Sequence, residues 1–331
     1  MTSHRFWLFA PWALFALIVA AWLTYWFVAA GTAEQRVAAF VAQQQRAGAD
    51  VRIGRISRHG FPVLLRLELD DVAYAPRQRN WRAASARVDL NINLLKPAHI
   101  VLQQRAPLTI DRAEGHTDIA AEAMLMSVRM QGAALAEARL EADALALTDR
   151  GREGALAAQK LVAALRPDPR NGADYQLAIQ ATALHLAQPV RTFERFGQDV
   201  AVANAALVIE RAAALLEPSD PLEHWRGAGG RARLEGLTLE WGPLEANAQG
   251  AVALDAEHRL AGRLEAALPR PAPALNALAQ SPNLSYQQKN ALSVFALGLA
   301  LANRDVRVHL EAADGVLKLE NVPVRTLAPV Y

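Results

Sequence analysis

A chain of 331 residues, 52% apolar and 21% charged, is long enough for one large or two ordinary domains and too apolar to be globally disordered. A formal net charge of +2 argues against a nucleic acid or another polyanion as the main partner. The absence of cysteine excludes disulfides, zinc–thiolate sites, iron–sulfur clusters and cysteine nucleophiles.

The first element is apolar. No residue from Phe6 to Ala33 is charged. As a helix this stretch spans roughly 42 Å at ~1.5 Å per residue, more than the ~30 Å hydrocarbon core of a bilayer. The apolar region of a cleaved signal peptide is shorter, ~7–15 residues. A buried helix of a soluble protein is the other alternative, and the reading adopted is an uncleaved signal-anchor. Phe6, Trp7 and Trp12 stand toward one end and Trp22, Tyr25 and Trp26 toward the other, as two interfacial belts. His4 and Arg5 precede the span and Glu34 follows it, which places the N-terminus in the cytoplasm. The predicted organisation is therefore a cytoplasmic tail at 1–5, a transmembrane signal-anchor at 6–33 and a juxtamembrane helix at 34–48. An exported β-rich domain follows at 49–331, with a weak seam near 166–174. In a bacterium this is a single-pass inner-membrane protein whose main domain is periplasmic.

The juxtamembrane segment carries Val37, Phe40 and Val41 on one stripe and ends at Gly48. Period-two alternation then begins. Leu65, Leu67 and Leu69 face one way against Arg66, Glu68 and Asp70. Val88, Leu90 and Ile92 alternate with Arg87, Asp89, Asn91 and Asn93. Met124, Met126 and Met130 share a face, as do Tyr175, Leu177 and Ile179. In "GLTLEWGPLEANAQG", Leu237, Leu239 and Trp241 form an apolar row before a Gly242-Pro243 turn. Short, regular turn spacing predicts antiparallel meanders. Helices interrupt the strands at "DPLEHWRGAGG" and over 273–302, the longest near 285–302, and "AADG" closes a final hairpin. The fold class is mainly β (α+β), an N-terminal transmembrane helix followed by an elongated, curved antiparallel sheet with a few covering helices.

Chemistry-bearing motifs are scarce. The eight histidines show no metal-ligand spacing, and neither a nucleophile elbow nor a Walker loop is present. Asp70 and Asp71 are adjacent on a strand and point to opposite sides, so they do not form an acid–base pair. "GAGGRA" at 227–232 matches a dinucleotide pattern, but it follows a helix and precedes a strand, the reverse of what such a site requires. The sequon at Asn283 is a common chance match. No catalytic residue, cofactor or metal is expected, and the chain is read as not an enzyme.

Two stretches resemble known families. The span, the short helix, "GADVRIGRISRHGFPVLLRLELDDVAYA" and "ARVDLNINLLKPAHIVLQQRAPLTIDRAEG" look like the N-terminal region of AsmA-like envelope proteins. Trp225, Gly229-Gly230, Trp241-Gly242-Pro243, Gly250, Leu254, Gly262 and the closing Leu-x-Pro resemble a proteobacterial envelope family, number 2125 among the domains of unknown function. The AsmA-like resemblance implies a bent sheet with an apolar inner surface, in a group associated with moving phospholipids. With the alternating strands it leads to the expected function: a membrane-anchored protein that binds or helps transfer lipids in an apolar β-sheet groove. The candidate lining is Leu65, Leu67, Leu69, Val88, Leu90, Ile92, Met124, Met126, Met130, Leu237, Leu239 and Trp241, although each also fits ordinary core packing. Membrane lipids and other envelope proteins are the expected partners. The alternative is a structural or scaffolding protein with a filled core.

Overall fold

The computed structural model describes residues 3–77, 80–112, 115–132, 134–149, 154–187, 191–216, 220–280, 286–302, 305–319 and 322–330. They are mainly strand, and the chain divides into two compact units. One is Met1–Ala120 with Leu125–Met130, and the other is Ala121–Met124 with Gln131–Tyr331.

The first unit opens with α1 (Ser3–Arg46), a single helix with Pro11 inside it. Strands β1 (Asp50–Arg52), β2 (Arg55–His59), β3 (Leu64–Ala75), β4 (Trp81–Asn93), β5 (His99–Gln104), β6 (Leu108–Arg112) and β7 (Gly115–Ala120) follow. β8 (Ala123–Gln131) contributes residues to both units. β3 is the hub. It pairs antiparallel with β1, β2 and β4, and β4 pairs with β5 along one half and β6 along the other.

Register builds a sheet with one apolar face. Leu65, Leu67 and Leu69 lie opposite Ile92, Leu90 and Val88, and β5 extends the rows with Ile100 opposite Ile92 and Leu102 opposite Leu90. The other face is polar and internally paired. Arg66 Nε donates to Asn91 Oδ1 at 3.1 Å, Arg87 pairs with Glu68, and Arg105 Nε donates to buried Asp89 at 2.8 Å. This is the one-face-in pattern of an antiparallel sheet.

The apolar face is covered by the C-terminal part of α1. Trp26, Ala30 and Ala33 form one buried cluster with Leu65, Leu67, Leu69 and Leu94, and Ala29 and Val37 pack against it. The i, i+3, i+4, i+7 spacing is a helical stripe, and its alanines let helix and sheet approach closely. Leu67 is 0% exposed and Trp26 6%. Each such buried side chain contributes ~1.5–3 kcal/mol.

The boundary predicted at 33/34 is not a break in the helix. The helix runs unbroken through the juxtamembrane segment to Arg46, and its character changes at Trp22. Residues 11–21 are exposed on every side, whereas from Trp22 onward one face is turned into protein. Composition alone did not mark this point, because a lipid-facing and a sheet-facing helix surface are both apolar. The stretch from Ser3 to Ala21 measures roughly 28 Å at ~1.5 Å per residue, close to the ~30 Å core of a bilayer.

The second unit is a meander. β9 (Ala134–Asp149), β10 (Gly154–Asp168), β11 (Asn171–Leu186), β12 (Asp199–Ile209), β13 (Ala232–Trp241), β14 (Leu244–Leu254), β15 (Leu260–Leu268), β16 (Val306–Ala313), β17 (Val316–Leu319) and β18 (Val322–Thr326) follow in order. Each pairs antiparallel with the next. Residues 166–174, read from the sequence as a weak seam, hold the end of β10, the start of β11 and the two-residue turn between them. Asp168 is buried there and accepts the Arg170 N–H at 3.0 Å and the Gln176 side chain at 3.2 Å. The division between the two compact units falls at β8.

α2 (Pro221–Gly227) is capped by Asp220, which accepts the Glu223 N–H at 3.3 Å. At its far end Gly229 N–H bonds Arg226 O and Gly230 N–H bonds Trp225 O, both at 2.8 Å, a Schellman closure. The dinucleotide-like glycines are thus a helix stop. Trp225 is buried, donates to Glu210 O at 2.7 Å, and lies where a Cβ on Gly230 would strike its ring. α3 (Pro271–Ala279) and α4 (Tyr286–Ala302) lie between β15 and β16. Asn283 lies outside the described residues.

Candidate functional site

A helix is about 10 Å wide and strands are ~4.8 Å apart, so one helix covers about two strands. α1 lies over β3 and its neighbours, and the apolar row continues past it onto β5. The consequence is a cavity of about 620 Å³ between one flank of α1 and the sheet. Val28, Thr32, Arg36 and Phe40 line it from the helix, and Leu65, Leu69, Leu90, Ile92, Ile100 and Leu102 from β3, β4 and β5. Its helix lining runs from Tyr25 to Val41, with Leu94 and Pro97 also in the wall. From Tyr25 to Phe40 the helix rises about 22 Å along its axis, at ~1.5 Å per residue. Among the described lining residues Arg36 alone is charged.

Polar contacts hold the helix over this space. Trp22 Nε1 donates to Pro62 O at 2.9 Å, and the Tyr25 hydroxyl donates to Leu94 O at 3.0 Å. The Trp26 and Phe61 rings meet edge to face, 5.8 Å apart. On the other flank Arg58 of β2 forms a two-pronged ion pair with Glu34. The hydrogen bonds from Arg58 hold the Glu34 carboxyl below its ordinary pKa, and partial burial opposes them. A second, more polar cleft of about 730 Å³ lies on this flank, lined by Val37, Val41, Ile53, Ile56, Asp71 and Arg82.

The second unit carries a recess of about 1030 Å³ on its polar sheet face, lined by Arg233, Glu235, Arg263, Glu265, His309 and Glu311. Arg263 pairs with Glu311 at 2.9 Å and Glu265 with Arg307 at 3.5 Å. Glu235 is likewise paired, with Arg170 at 2.8 Å, so charge there is matched within the protein.

The structure distributes the predicted groove residues unevenly. Leu65, Leu69, Leu90 and Ile92 line the cavity, while Leu67 is sealed beneath α1 and Val88 is half-buried outside the lining. Met124 and Met130 are half-buried on β8, and Met126 is 44% exposed; none of the three reaches the cavity. Leu237, Leu239 and Trp241 belong to the apolar face of the second unit. Trp241 continues a cross-strand row of Leu145, Ala158, Leu184 and Val200. Its Nε1 donates to Gly197 O at 3.0 Å and its ring meets Phe196 edge to face at 5.5 Å. Gly242 follows with φ +53°, and a Cβ there would sit 2.1 Å from Phe196 O. The Trp-Gly-Pro signature is thus a hairpin corner packed on Phe196, with glycine at the first central position of a II′-type turn.

Of the predicted anchor residues, Trp12 is exposed, Trp22 and Tyr25 tie α1 to the sheet, and Trp26 is buried in protein. The side chains of Phe6 and Trp7 lie outside the described part of the structure. Sequence reasoning missed Arg36, Phe40, Ile100 and Leu102. The available signal was the alanine stripe at 29, 30 and 33, which marks a helix face made for close packing.

The family described as uncharacterised proteins conserved in bacteria, DUF2125, matches residues 26–328. The chain belongs to this family. The DUF2125 match takes in the docked part of α1 from Trp26 onward, the cavity wall from Val28 to Leu102, with Tyr25 just outside it, and the Trp241-Gly242-Pro243 corner. Comparison with curated proteins finds no match, and comparison with solved structures finds none. The described part of α1 from Pro11 is long and apolar enough to cross a membrane, as a single-pass anchor or a signal sequence does. Among the described residues no cluster of histidine and carboxylate side chains is arranged to hold a metal ion.

Proposed function

We propose that this DUF2125 protein is held in a bacterial inner membrane by α1, with its β-rich part in the periplasm, and that it takes an acyl chain of a membrane lipid into the cavity between α1 and β3–β5. The observation that carries the reading is the cavity itself: about 620 Å³, walled by aliphatic and aromatic side chains, and built on the helix that is long and apolar enough to cross a membrane. Its length of about 22 Å exceeds one leaflet of hydrocarbon, about half of ~30 Å, so an extended acyl chain fits. Arg36 supplies a cation for an anionic headgroup. The AsmA-like resemblance of residues 1–120 supports the same reading. It involves no catalytic step, cofactor or nucleic acid.

The test is mass spectrometry of lipid co-purified with the full chain. Wild type is expected to retain a stoichiometric lipid and Leu102→Trp, which fills the cavity from β5, to lose it. Equal lipid in both proteins, or none in either, contradicts the proposal.

One observation favours protein contacts as a second role. Val294 and Leu297 of α4 are 71% and 61% exposed. An apolar helix surface of this kind suits an envelope partner.

A further inference from the structure

The sheet end beside Trp22 and Trp26 carries its own apolar rim. The loop between β2 and β3 holds Phe61, Pro62 and Val63, and the loop between β4 and β5 holds Leu95 and Lys96. Antiparallel pairing of β3 with β4, Leu64 opposite Asn93, brings both loops to one edge of the first unit. Leu94 N–H donates to Val63 O at 3.2 Å and joins them. Both are also fastened to α1 at one level, through Trp22 to Pro62 O at 2.9 Å and Tyr25 to Leu94 O at 3.0 Å. Yet much of their apolar surface stays open: Phe61, which meets the edge of Trp26, is 53% exposed, Val63 43% and Leu95 66%.

Immediately N-terminal to Trp22 the helix is apolar and exposed all round, including Trp12, Phe15 and Ile18. The rim is therefore continuous with the lipid-facing surface of the span. We propose that the Phe61–Val63 and Leu95–Lys96 loops seat in the interfacial layer of the same membrane that α1 crosses, with Lys96 at the headgroups. Aromatic and aliphatic side chains at the end of a span, with a lysine beside them, fit that layer. Tyr25, Leu94 and Pro97 belong to the cavity wall, so this seat sets one end of the cavity against the bilayer surface. The proposal rests on the reading of α1 as a membrane anchor and does not require that the cavity be filled.

The chain has no cysteine, so single labels report without background. Val63→Cys, Leu95→Cys and Asn80→Cys are labelled with an environment-sensitive fluorophore in the full chain, reconstituted into phosphatidylcholine–phosphatidylglycerol vesicles. Asn80 is the control, at the opposite end of β3, about 40 Å away at ~3.3 Å per residue. Lipids with a nitroxide near the headgroup are expected to quench positions 63 and 95 at least twofold and to leave 80 unchanged. The proposal is overturned if 63 and 95 behave like 80 while the chain still floats with the vesicles. A chain that does not float overturns the anchor reading instead, and this proposal with it.

Discussion

The hydroxyl of Tyr25 donates a hydrogen bond to the carbonyl of Leu94 at 3.0 Å, across 69 residues of sequence. It joins the helix to the loop that closes β4, and the same loop bonds back to Val63. Tyr25→Phe removes one neutral hydrogen bond and keeps the ring, so a loss of about 0.5–1.5 kcal/mol is expected. Denaturant unfolding of the full chain in detergent measures it, and an unchanged midpoint would show that the bond does not hold the helix.

Leu67 and Met126 were both read from the sequence as groove residues, and the structure assigns them opposite fates. Leu67 is 0% exposed under α1 and Met126 is 44% exposed on β8. Leu67→Ala is expected to cost about 2–5 kcal/mol, whereas Met126→Ala stays within about 0.5 kcal/mol. Comparable losses at the two positions would contradict the packing described.

Gly262 has φ +155°, and a Cβ there would lie 2.2 Å from Ala251 O on β14. Gly236 has nothing within 4 Å of its Cβ position. Gly262→Ala is therefore expected to destabilise by more than about 1 kcal/mol, because the backbone itself must shift. Gly236→Ala should be nearly silent. Thermal melts of the two variants decide the point.

His116 lies between Asp111 and Asp118, with Nε2 3.0 Å from Asp118. Hydrogen bonds to Asp111 first, and then to Asp118, raise its pKa above the ordinary value, with burial opposing weakly. A raised folded-state pKa gives stabilisation that is complete below the unfolded value of ~6.5 and is lost as pH rises through the folded value. An NMR titration should place His116 above ~6.5, and Asp111→Asn should bring it down. A midpoint unaffected by Asp111→Asn would contradict the pairing.

The strands were legible where one face is more enclosed than the other, which writes period two into buried Leu65–Leu67–Leu69 and half-buried Leu237–Leu239–Trp241. The phase slip between Leu234 and Leu237 was less visible. A bulge at Glu235–Gly236 corrects it, so that Leu234, opposite Gly250, rejoins the apolar rows. The point at which α1 docks was not legible, since residues 22–33, packed on the sheet, are as apolar as the exposed residues 11–21. Nor was the cavity, which depends on the width of α1 relative to three strands and on where the helix is pinned. Arg36 and Leu102 meet only through that geometry.

The central claim is that an acyl chain occupies the space beneath α1. Its most direct measurement uses phosphatidylglycerol bearing a photoreactive group midway along one acyl chain, in vesicles with the full protein, and maps adducts by peptide mass spectrometry. Adducts are expected within Val28–Val41 and Leu90–Leu102. Adducts confined to residues 11–21, the exposed part of α1, would contradict occupation of the cavity.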